Sequence, residues 1–456
     1  MKQVIFESVN PYNNSPLETY ECLTDQQLHN NIGASTAAFS HWKKTSITGR
    51  QKLLAQLAEH LRKNSGELAE LITSEMGKLI SEARGEIEKC AWVCDYYAEN
   101  GEEFLRQEAI TTEAKESYIR YDSIGIVFGI MPWNFPFWQV FRFAVPTILA
   151  GNTVLIKHAP NVTGCGLAIE RSFRESGFPE NIFQNLVITH EQAAKTIAHP
   201  DVKGVTLTGS ERAGREIGAL AGQNLKKCVL ELGGSDPFIV FPDADIKLAA
   251  RTGAQSRLLN AGQTCISAKR FILHADIHDE FIDHYLDYTK GLRSGDPMDE
   301  STGMAPLARQ DLTENLKAQM DRAIGAGSTL LYGGQTEGCY FQPTVLTNVN
   351  TAMSVACEET FGPLATIFPV KNIKEALWTA NETNYGLGAS VWTTSQETVQ
   401  EMAENLDVGN VFINSLVKSD PRLPFGGTKQ SGFGRELSWH GAREFTNIKT
   451  VFHIST

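Results

Sequence analysis

The amino-acid sequence predicts an α/β protein built on two doubly wound, largely parallel sheets. Between residues 124 and 208, short apolar runs of β-type residues alternate with helical segments; the runs lie at 126–130, 153–156, 185–188 and 204–207. A second unit from 238 to 432 repeats the pattern with runs at 270–273, 366–370 and 410–414. Strands buried on both faces are apolar throughout, and their alternation with helices is typical of parallel βαβ units.

A helical block precedes the first sheet, between residues 50 and 104. Its apolar residues recur at helical spacing, beginning with Leu53, Leu54, Leu57 and Leu61. Gly66, Gly77 and Gly85 interrupt the pattern, so we expect three or four helices rather than one. We assign the block to packing.

Two further segments have the character of exposed strands. Residues 111–121 are polar and alternating, and such a strand needs a partner edge. Residues 445–454 are similar, and neither segment has an obvious sheet within its own subunit. We therefore expect a small β flap through which the chain forms a homodimer or a homotetramer.

Composition excludes several classes of function. The chain has 456 residues and a net charge of −12, with its Lys and Arg dispersed, so we expect no nucleic-acid partner. It contains no stretch long enough to span a membrane and no apolar leader, which favours a cytoplasmic location. Its eight cysteines form no Cys-x-x-Cys pair and no zinc spacing with histidine, so we expect a reducing compartment and no metal site.

The segment from Glu231 to Cys265 contains the two candidate reactive groups. Glu231 ends an apolar strand and enters a Gly-Gly turn, where the missing side chains allow close approach of backbone or ligand. Cys265 stands alone among small and polar residues at 262–267. A helix predicted from Asp243 to Leu259 separates them. Either residue alone is ordinary, because a strand-end carboxylate is usually solvated and a free thiol usually packs in the core.

The surrounding motifs change that interpretation. Residues 231–234 read Glu-Leu-Gly-Gly and residues 262–265 read Gly-Gln-Thr-Cys. Further motifs occur in the same order at 132–136, 208–210, 358–363 and 424–427. Together they resemble the signatures of the aldehyde dehydrogenase superfamily over nearly the whole chain. Residues 137–142, 157–161 and 417–420 resemble its short bacterial succinate-semialdehyde dehydrogenase branch.

The resemblance implies a domain organisation. We expect a cofactor-binding domain at 1–108 and 124–232, a catalytic domain at 233–432, and an oligomerisation flap at 109–123 and 433–456. The boundary near residues 233–234 puts Glu231 and Cys265 beside an interdomain cleft, which is a usual position for a ligand.

The resemblance also implies a mechanism. Cys265 is the nucleophile that attacks the aldehyde, and the Asn134 amide with the Cys265 backbone N–H holds the resulting oxyanion. Loss of hydride to the cofactor leaves a thioester, and Glu231 is the general base for the water that hydrolyses it.

Nine residues are expected at the dinucleotide. They are Trp133, Lys157, Pro160, Gly209, Ser210, Gly214, Leu232, Glu359 and Phe361. The turn after residue 208 enters a helix whose N-terminus can receive pyrophosphate, although its spacing is not that of the Rossmann Gly-x-Gly-x-x-Gly motif. Pro160 stands where many members carry a ribose-binding glutamate. It removes a carboxylate that repels a 2′-phosphate but supplies no donor, so we expect NAD to be preferred, with NADP left open by Lys157.

The expected substrate is a short semialdehyde with a distal carboxylate, succinate semialdehyde before glutarate semialdehyde. Asn134, Trp138 and Arg142 recur every four residues and should share one helical face. In this arrangement Arg142 binds the carboxylate bidentately, helped by Ser415 and Ser419. The alternative is a structural Arg142 paired with an acidic neighbour, which leaves a broad-specificity aldehyde dehydrogenase.

Two other classes of protein compete with this assignment. A cysteine hydrolase needs a histidine partner, but none of the 11 histidines forms a recognisable signature with Cys265. A catalytically silent relative would be expected to have lost Cys265, Glu231 or Asn134, and all three are present.

Overall fold

The computed structural model describes residues 4–454, which begin with a β-hairpin and four helices. These elements are β1 (Ile5–Val9), β2 (Pro16–Glu21), α1 (Asp25–Trp42), α2 (Ile47–Lys63), α3 (Ser65–Met76) and α4 (Ile80–Phe104). Helices α2 to α4 confirm the predicted helical block. Of the three proposed breaks, only Gly77 ends a helix, with a left-handed φ of 79°. Gly66 and Gly85 lie within α3 and α4.

The next elements include the first large sheet. They are β3 (Glu108–Ala109), β4 (Glu116–Ser123), β5 (Ile126–Ile130), α5 (Trp138–Leu149), β6 (Thr153–Lys157), α6 (Thr163–Glu175), β7 (Phe183–Asn185), α7 (His190–Ala198), β8 (Val202–Thr208), α8 (Glu211–Gln223) and β9 (Lys227–Glu231). Strands β9, β8, β5, β6 and β7 are neighbours in that order and all parallel. Their carboxyl ends therefore meet at one edge, where ligands bind in sheets of this kind.

The remaining elements include a second sheet. They are β10 (Pro237–Val240), α9 (Ile246–Leu258), β11 (Arg270–His274), α10 (His278–Lys290), α11 (Gln310–Gly325), β12 (Thr329–Tyr332), β13 (Thr336–Glu337), β14 (Tyr340–Phe341), β15 (Thr344–Thr347), α12 (Ser354–Cys357), β16 (Leu364–Val370), α13 (Ile373–Asn381), β17 (Tyr385–Gly386), β18 (Gly388–Trp392), α14 (Gln396–Asn405), β19 (Asn410–Ile413), β20 (Thr428–Lys429), β21 (Gly432–Phe433), α15 (Ser438–Glu444) and β22 (Thr446–His453).

The second sheet has seven strands in the order β12-β15-β16-β11-β10-β18-β19. All its pairs are parallel except β12 with β15. The chain then returns to the first sheet, where β21 pairs antiparallel with β9 and places Gly432 opposite Glu231. The strand that ends at Glu231 is therefore held on both sides. The predicted doubly wound α/β fold is confirmed.

Both sheets are covered on their two faces. Val127 of β5 belongs to one apolar cluster, whereas Ile126 and Phe128 belong to another. In β10, Phe238 and Ile239 likewise belong to different clusters. Successive side chains of a strand point to opposite faces, so each sheet lies between two apolar layers. Within residues 4–454, no helix is long and apolar enough to cross a membrane.

The flap strands pair with each other. Strands β22, β4 and β3 form a three-stranded antiparallel sheet, in register from Thr446 opposite Ser123 to His453 opposite Glu116. The expectation that they lack a sheet within their own subunit was therefore wrong, because strands so distant in sequence give no local sign of pairing. Ile448 and Phe452 remain 62% and 47% exposed on this sheet. Residues 455–456 of the predicted flap lie outside the described residues.

Candidate active site

A left-handed turn after α9 positions Cys265. Asn260, Ala261 and Gly262 have φ values of 54°, 52° and 75°, a region that most side chains avoid. Gly262 is required, because a Cβ there would lie 2.5 Å from the backbone of Gly362. The turn ends the helix and directs Cys265 to a point where two cavities meet.

Asn134 is anchored to the same turn. Its backbone carbonyl accepts hydrogen bonds from Lys78 Nζ at 3.0 Å and from Asn260 Nδ2 at 2.7 Å. Its side-chain Nδ2 donates to the Gln263 carbonyl at 2.9 Å. An amide nitrogen carries two hydrogens, so one remains for a ligand. Within the described part of the chain the Cys265 backbone N–H has no acceptor, and both groups line the first cavity.

A buried ion pair supports this loop. Lys78 pairs with Glu86, and Glu86 Oε1 accepts from the backbone N–H groups of Phe137 at 2.8 Å and Trp138 at 2.9 Å. The carboxylate therefore caps the first turn of α5. Sequence analysis assigned the block of residues 50–104 to packing alone. The structure corrects this, because Lys78 holds the backbone of Asn134 and Glu86 holds the start of helix α5.

Glu231 is buried at the end of β9. It is only 2% exposed, and neither carboxylate oxygen has a hydrogen-bond partner among the described residues. Burial raises the pKa of Glu231 well above its usual value, an effect that the Arg142 charge opposes and the nearby Glu436 reinforces. A buried carboxyl group without partners serves no structural purpose, so it suits proton transfer to or from a bound molecule.

Arg142 is paired inside the protein. Its Nε contacts Glu436 Oε2, its Nη2 lies 3.4 Å from Thr208 Oγ1, and its guanidinium carbon lies 4.7 Å from the Phe425 ring centre. Arg142 thus has the acidic neighbour that the alternative named, and it also lines the second cavity described below. Sequence analysis missed Glu436, since the pair joins residues that are far apart in the chain.

The first cavity has a volume of about 260 Å³. The predicted cofactor residues that line it are Trp133, Gly209, Ser210, Leu232, Glu359 and Phe361. Catalytic residues Asn134 and Cys265 line it as well. The cavity therefore joins the predicted dinucleotide groups to the thiol.

One end of this cavity suits an anion. Ser210 caps α8, with its Oγ accepting from Ala213 N at 3.4 Å, and both Gly209 and Ser210 line the cavity. A helix N-terminus presents unpaired N–H groups and a favourable dipole to phosphate. At the other end, Glu359 accepts from Gly234 N at 3.0 Å and lies 3.7 Å from Lys269 Nζ. A carboxylate held in this way can accept hydrogen bonds from ribose hydroxyls, so the cavity fits a dinucleotide.

The second cavity, of about 190 Å³, opens on the other side of the thiol. Cys265 and Gln139 line both cavities. The predicted substrate residues Trp138, Arg142 and Ser419 line the second, but Ser415 does not, and its Oγ lies 3.3 Å from the Leu416 carbonyl. Lys89 of α4 also lines this cavity, and sequence analysis did not identify it.

Three predicted cofactor residues lie outside the first cavity. Gly214 lies within α8, and a Cβ there would lie 2.5 Å from a methyl carbon of Leu232, so its role is the close packing of this helix against Leu232. Lys157 is 3% exposed at the end of β6, with its Nζ 3.4 Å from the His158 carbonyl. Pro160 begins a short 3-10 turn just beyond it. Lys157 and Pro160 thus lie at the carboxyl end of β6.

The thiol itself is not activated by the protein alone. Burial raises the pKa of Cys265 to about 12, while the charges of Arg142 and Lys269 lower it by less. Lys269 Nζ donates to the carbonyls of Thr264 at 2.9 Å and Cys265 at 2.7 Å. It therefore holds the backbone of the nucleophile in place, and deprotonation of the thiol needs a base or a bound positive charge.

Comparisons with known proteins agree with this geometry. The sequence profile of the aldehyde dehydrogenase family matches residues 2–451. The chain is 43% identical to a probable NADP(+) succinate-semialdehyde dehydrogenase of Synechocystis sp., over 98% of this chain and 99% of that protein. It is 44% identical to the NAD(P)+ succinate semialdehyde dehydrogenase Sad of Escherichia coli, over 98% and 97%.

A solved structure is similar over the same length. Succinic semialdehyde dehydrogenase from Streptococcus pyogenes in complex with NADP+ superimposes with a TM-score of 0.96 at 37% identity, covering 99% of this chain and 100% of that one. The fold, the thiol between two cavities and the full-length match agree, and the chain belongs to the aldehyde dehydrogenase family.

Proposed function

We propose that this NAD(P)-dependent enzyme oxidises succinate semialdehyde to succinate. The observation that carries the proposal is the position of Cys265, where a cavity fitted to a dinucleotide meets a second cavity that contains cationic and hydroxyl groups. Hydride transfer needs contact between the aldehyde-derived adduct and the nicotinamide cofactor. The two cavities meet at the thiol, which allows that contact.

Acylation begins at Cys265. Its thiolate attacks the aldehyde carbon, and the second amide hydrogen of Asn134 with the Cys265 backbone N–H donates to the oxyanion. Both donors are held by the turn at residues 260–262 and by Lys78, so they need little reorganisation. When it is bound, NAD(P) supplies the hydride acceptor in the first cavity.

Deacylation depends on Glu231. The thioester on Cys265 is cleaved by water, and Glu231 takes the proton from that water. Its raised pKa makes the carboxylate a stronger base than an exposed glutamate. The thiolate that leaves restores the starting enzyme, so aldehyde, water and NAD(P)+ give carboxylate, NAD(P)H and two protons.

The substrate assignment rests on charge and on similarity. Lys89 and Arg142 give the second cavity two cationic side chains, and Ser419 adds a hydroxyl. A carboxylate-bearing aldehyde gains charge-assisted hydrogen bonds there that butanal lacks. The relatives named as succinate-semialdehyde dehydrogenases support the four-carbon substrate.

We propose NADP as the preferred cofactor, in place of the NAD preference inferred from Pro160. The Synechocystis relative is named for NADP(+), the Escherichia coli relative for NAD(P)+, and the Streptococcus pyogenes structure is a complex with NADP+. Pro160 carries no charge that repels a 2′-phosphate. The charge of Lys157 is the largest cause of a lowered pKa at His190, ahead of burial, while Glu216 opposes it, so the positive charge of Lys157 acts on this part of the protein.

The predicted domains and assembly fit this function. We propose residues 1–108 and 124–232 as the cofactor-binding domain, 233–432 as the catalytic domain, and 109–123 with 433–456 as the flap. The exposed Ile448 and Phe452 of the flap support a homodimer or homotetramer. Seven of the cysteines, all within the described residues, are free thiols, which supports a cytoplasmic location.

Steady-state oxidation of three aldehydes tests the substrate. The purified enzyme with NADP is compared on succinate semialdehyde, glutarate semialdehyde and butanal by absorbance of the reduced cofactor. We expect the highest kcat/KM for succinate semialdehyde. Because glutarate semialdehyde differs from it by one methylene, the ratio of the two kcat/KM values should not exceed roughly 10- to 200-fold. A higher value for butanal would contradict the proposal.

A further inference from the structure

Lys269 is a buried cation between the nucleophile and the first cavity. It is 1% exposed, and its Nζ donates to the carbonyls of Thr264 at 2.9 Å and Cys265 at 2.7 Å. An ammonium has three hydrogens, so one remains. Glu359 Oε1 lies 3.7 Å from the same nitrogen, and within residues 4–454 no other carboxylate forms an ion pair with it. Lys269 therefore links the backbone of the nucleophile to a carboxylate of the cavity.

Glu359 is the end of this link that a ligand can reach. Its side chain is 20% exposed and lines the first cavity, whereas Lys269 lines neither of the two cavities that meet at the thiol. Glu359 Oε1 accepts one hydrogen bond from Gly234 N, at 3.0 Å. A carboxylate has about four acceptor positions, so it can also accept from the hydroxyls of a bound ribose. A ribose there competes with Lys269 for the charge of Glu359.

Gly234 closes a ring of contacts around this pair. A Cβ at Gly234 would lie 2.7 Å from the Cys265 carbonyl oxygen, so the missing side chain lets the two backbones meet. The N–H of Gly234 donates to Glu359, Glu359 pairs with Lys269, and Lys269 donates to the Cys265 carbonyl. A change at Glu359 therefore reaches the Cys265 backbone from both sides of the ring.

The charges of the ring also act on one another. Burial lowers the pKa of Lys269, and the charge of Glu359 is the largest effect that opposes it. Burial raises the pKa of the Cys265 thiol, and after Arg142 the charge of Lys269 lowers it most, whereas Glu359 raises it further. Asp236 acts on both groups too, but it lines neither cavity, so a bound cofactor leaves its contribution in place.

A bound ribose changes this balance in one direction. Its hydroxyls stabilise the negative charge of Glu359, which weakens both the attraction of Glu359 for Lys269 and its repulsion of a thiolate. More of the Lys269 charge is then available to the thiolate of Cys265.

We propose that Lys269 couples the cofactor to the nucleophile, because it carries the occupation of Glu359 by ribose to the backbone and thiolate of Cys265. Lys269 is a positioning residue in this role, since it acts through Glu359 and Cys265. The inference rests on the proposed binding of NAD(P) in the first cavity, with Glu359 as the acceptor of ribose hydroxyls.

The test uses the rate at which iodoacetamide alkylates Cys265, followed by mass spectrometry of the peptide that contains it. We define the coupling factor as the alkylation rate with saturating NADPH divided by the rate without it. NADPH supplies the ribose, but its reduced ring carries no positive charge that would itself activate the thiol. Shielding of the thiol by NADPH is common to all variants, so it cancels when their coupling factors are compared.

Lys269→Gln keeps a hydrogen-bond donor for the backbone and removes the charge. We expect its coupling factor to be lower than that of wild type by about fivefold or more, as for removal of the coupling between two sites. Lys269→Arg retains the charge and should recover most of the factor. Lys418→Met is the matched control, because Lys418 is an exposed cation at the rim of the second cavity; its factor should stay within about twofold of wild type.

Glu359→Gln tests the same link from its other end and leaves the backbone donors of Lys269 in place. Its coupling factor should fall as far as that of Lys269→Gln, and the double variant should show no further loss. If Lys269→Gln does not fold, Glu359→Gln decides alone.

Quenching of protein fluorescence by NADPH separates the two possible failures. If wild-type enzyme does not bind NADPH, the proposed cofactor site is wrong. If it binds NADPH and the wild-type coupling factor is retained in Lys269→Gln or in Glu359→Gln, the cofactor site stands and the inference about Lys269 is refuted.

Discussion

The guanidinium of Arg142 forms a buried ion pair with the carboxylate of Glu436 and is also the main charge that restrains the pKa of Glu231. The charge of Arg142 thus lowers the pKa of two buried carboxyl groups, Glu231 and Glu436, while burial raises the pKa of both. The same charge lowers the pKa of Cys265. Arg142 therefore couples the electrostatics of the base to those of the nucleophile.

Removal of this cation should alter both stability and pH dependence. Arg142→Met removes the ion-pair partner of Glu436 and the charge that lowers the pKa of Glu231 most. We expect a loss of about 3–5 kcal/mol in the free energy of unfolding, the usual result of breaking a buried pair from one side. Since Arg142 lowers the pKa of Glu231, we also expect the pH profile of kcat to move to higher pH.

Urea denaturation and a pH series on the folded fraction measure these effects. The double variant Arg142→Met, Glu436→Leu is the control, because it removes both charges and should recover part of the stability. A stability within about 0.5 kcal/mol of wild type in the single variant would show that the pair is not needed.

Cys265→Ala should abolish oxidation of every aldehyde. The variant has no nucleophile for the carbonyl, so we expect kcat to fall by about 10⁴-fold or more, as for loss of other covalent nucleophiles. Reduced-cofactor absorbance measures the rate. Binding of NADP, followed by quenching of protein fluorescence, should persist and show that the fold is intact. Measurable steady turnover would exclude the thioester route.

Glu231→Gln should separate the two halves of the reaction. Glutamine keeps the shape but cannot take a proton, so thioester hydrolysis should slow by about 10²- to 10⁴-fold while acylation is less affected. In stopped-flow experiments we expect a burst of reduced cofactor close to one equivalent per site, followed by a slow phase. A steady-state rate equal to that of wild type would remove Glu231 from its role as the base.

Lys157→Met should weaken the use of NADP more than the use of NAD. A 2′-phosphate at the cationic edge beyond β6 gains a charge-assisted hydrogen bond that a hydroxyl does not match. We expect kcat/KM for NADP to fall about 10-fold more than kcat/KM for NAD. The wild-type ratio for the two cofactors is measured first. A wild-type preference for NAD would instead support the expectation, drawn from Pro160, that NAD is the preferred cofactor.

The sequence alone determined the fold class, because the alternation of buried strands and helices is a local property that can be read from neighbouring residues. It proposed Glu231 and Cys265 as reacting groups only through the motifs that resemble the aldehyde dehydrogenase family, since each residue alone is ordinary. The ends of individual strands differ from the prediction. The strand predicted at 185–188 is observed at Phe183–Asn185. Such shifts are expected because tertiary contacts decide where a strand ends.

Tertiary structure alone decided how the charges are paired. Helical spacing correctly brought Trp138 and Arg142 to one cavity, but Asn134 was wrongly placed on the same helical face, because α5 begins only at Trp138. Spacing also could not reveal that Glu436, almost 300 positions away, pairs with Arg142. Nor could it reveal that Lys89 lies beside Ser419, because α4 and the loop at 415–420 meet only in the folded chain. Ion pairs and cavity linings depend on distances in space, which the order of residues does not specify.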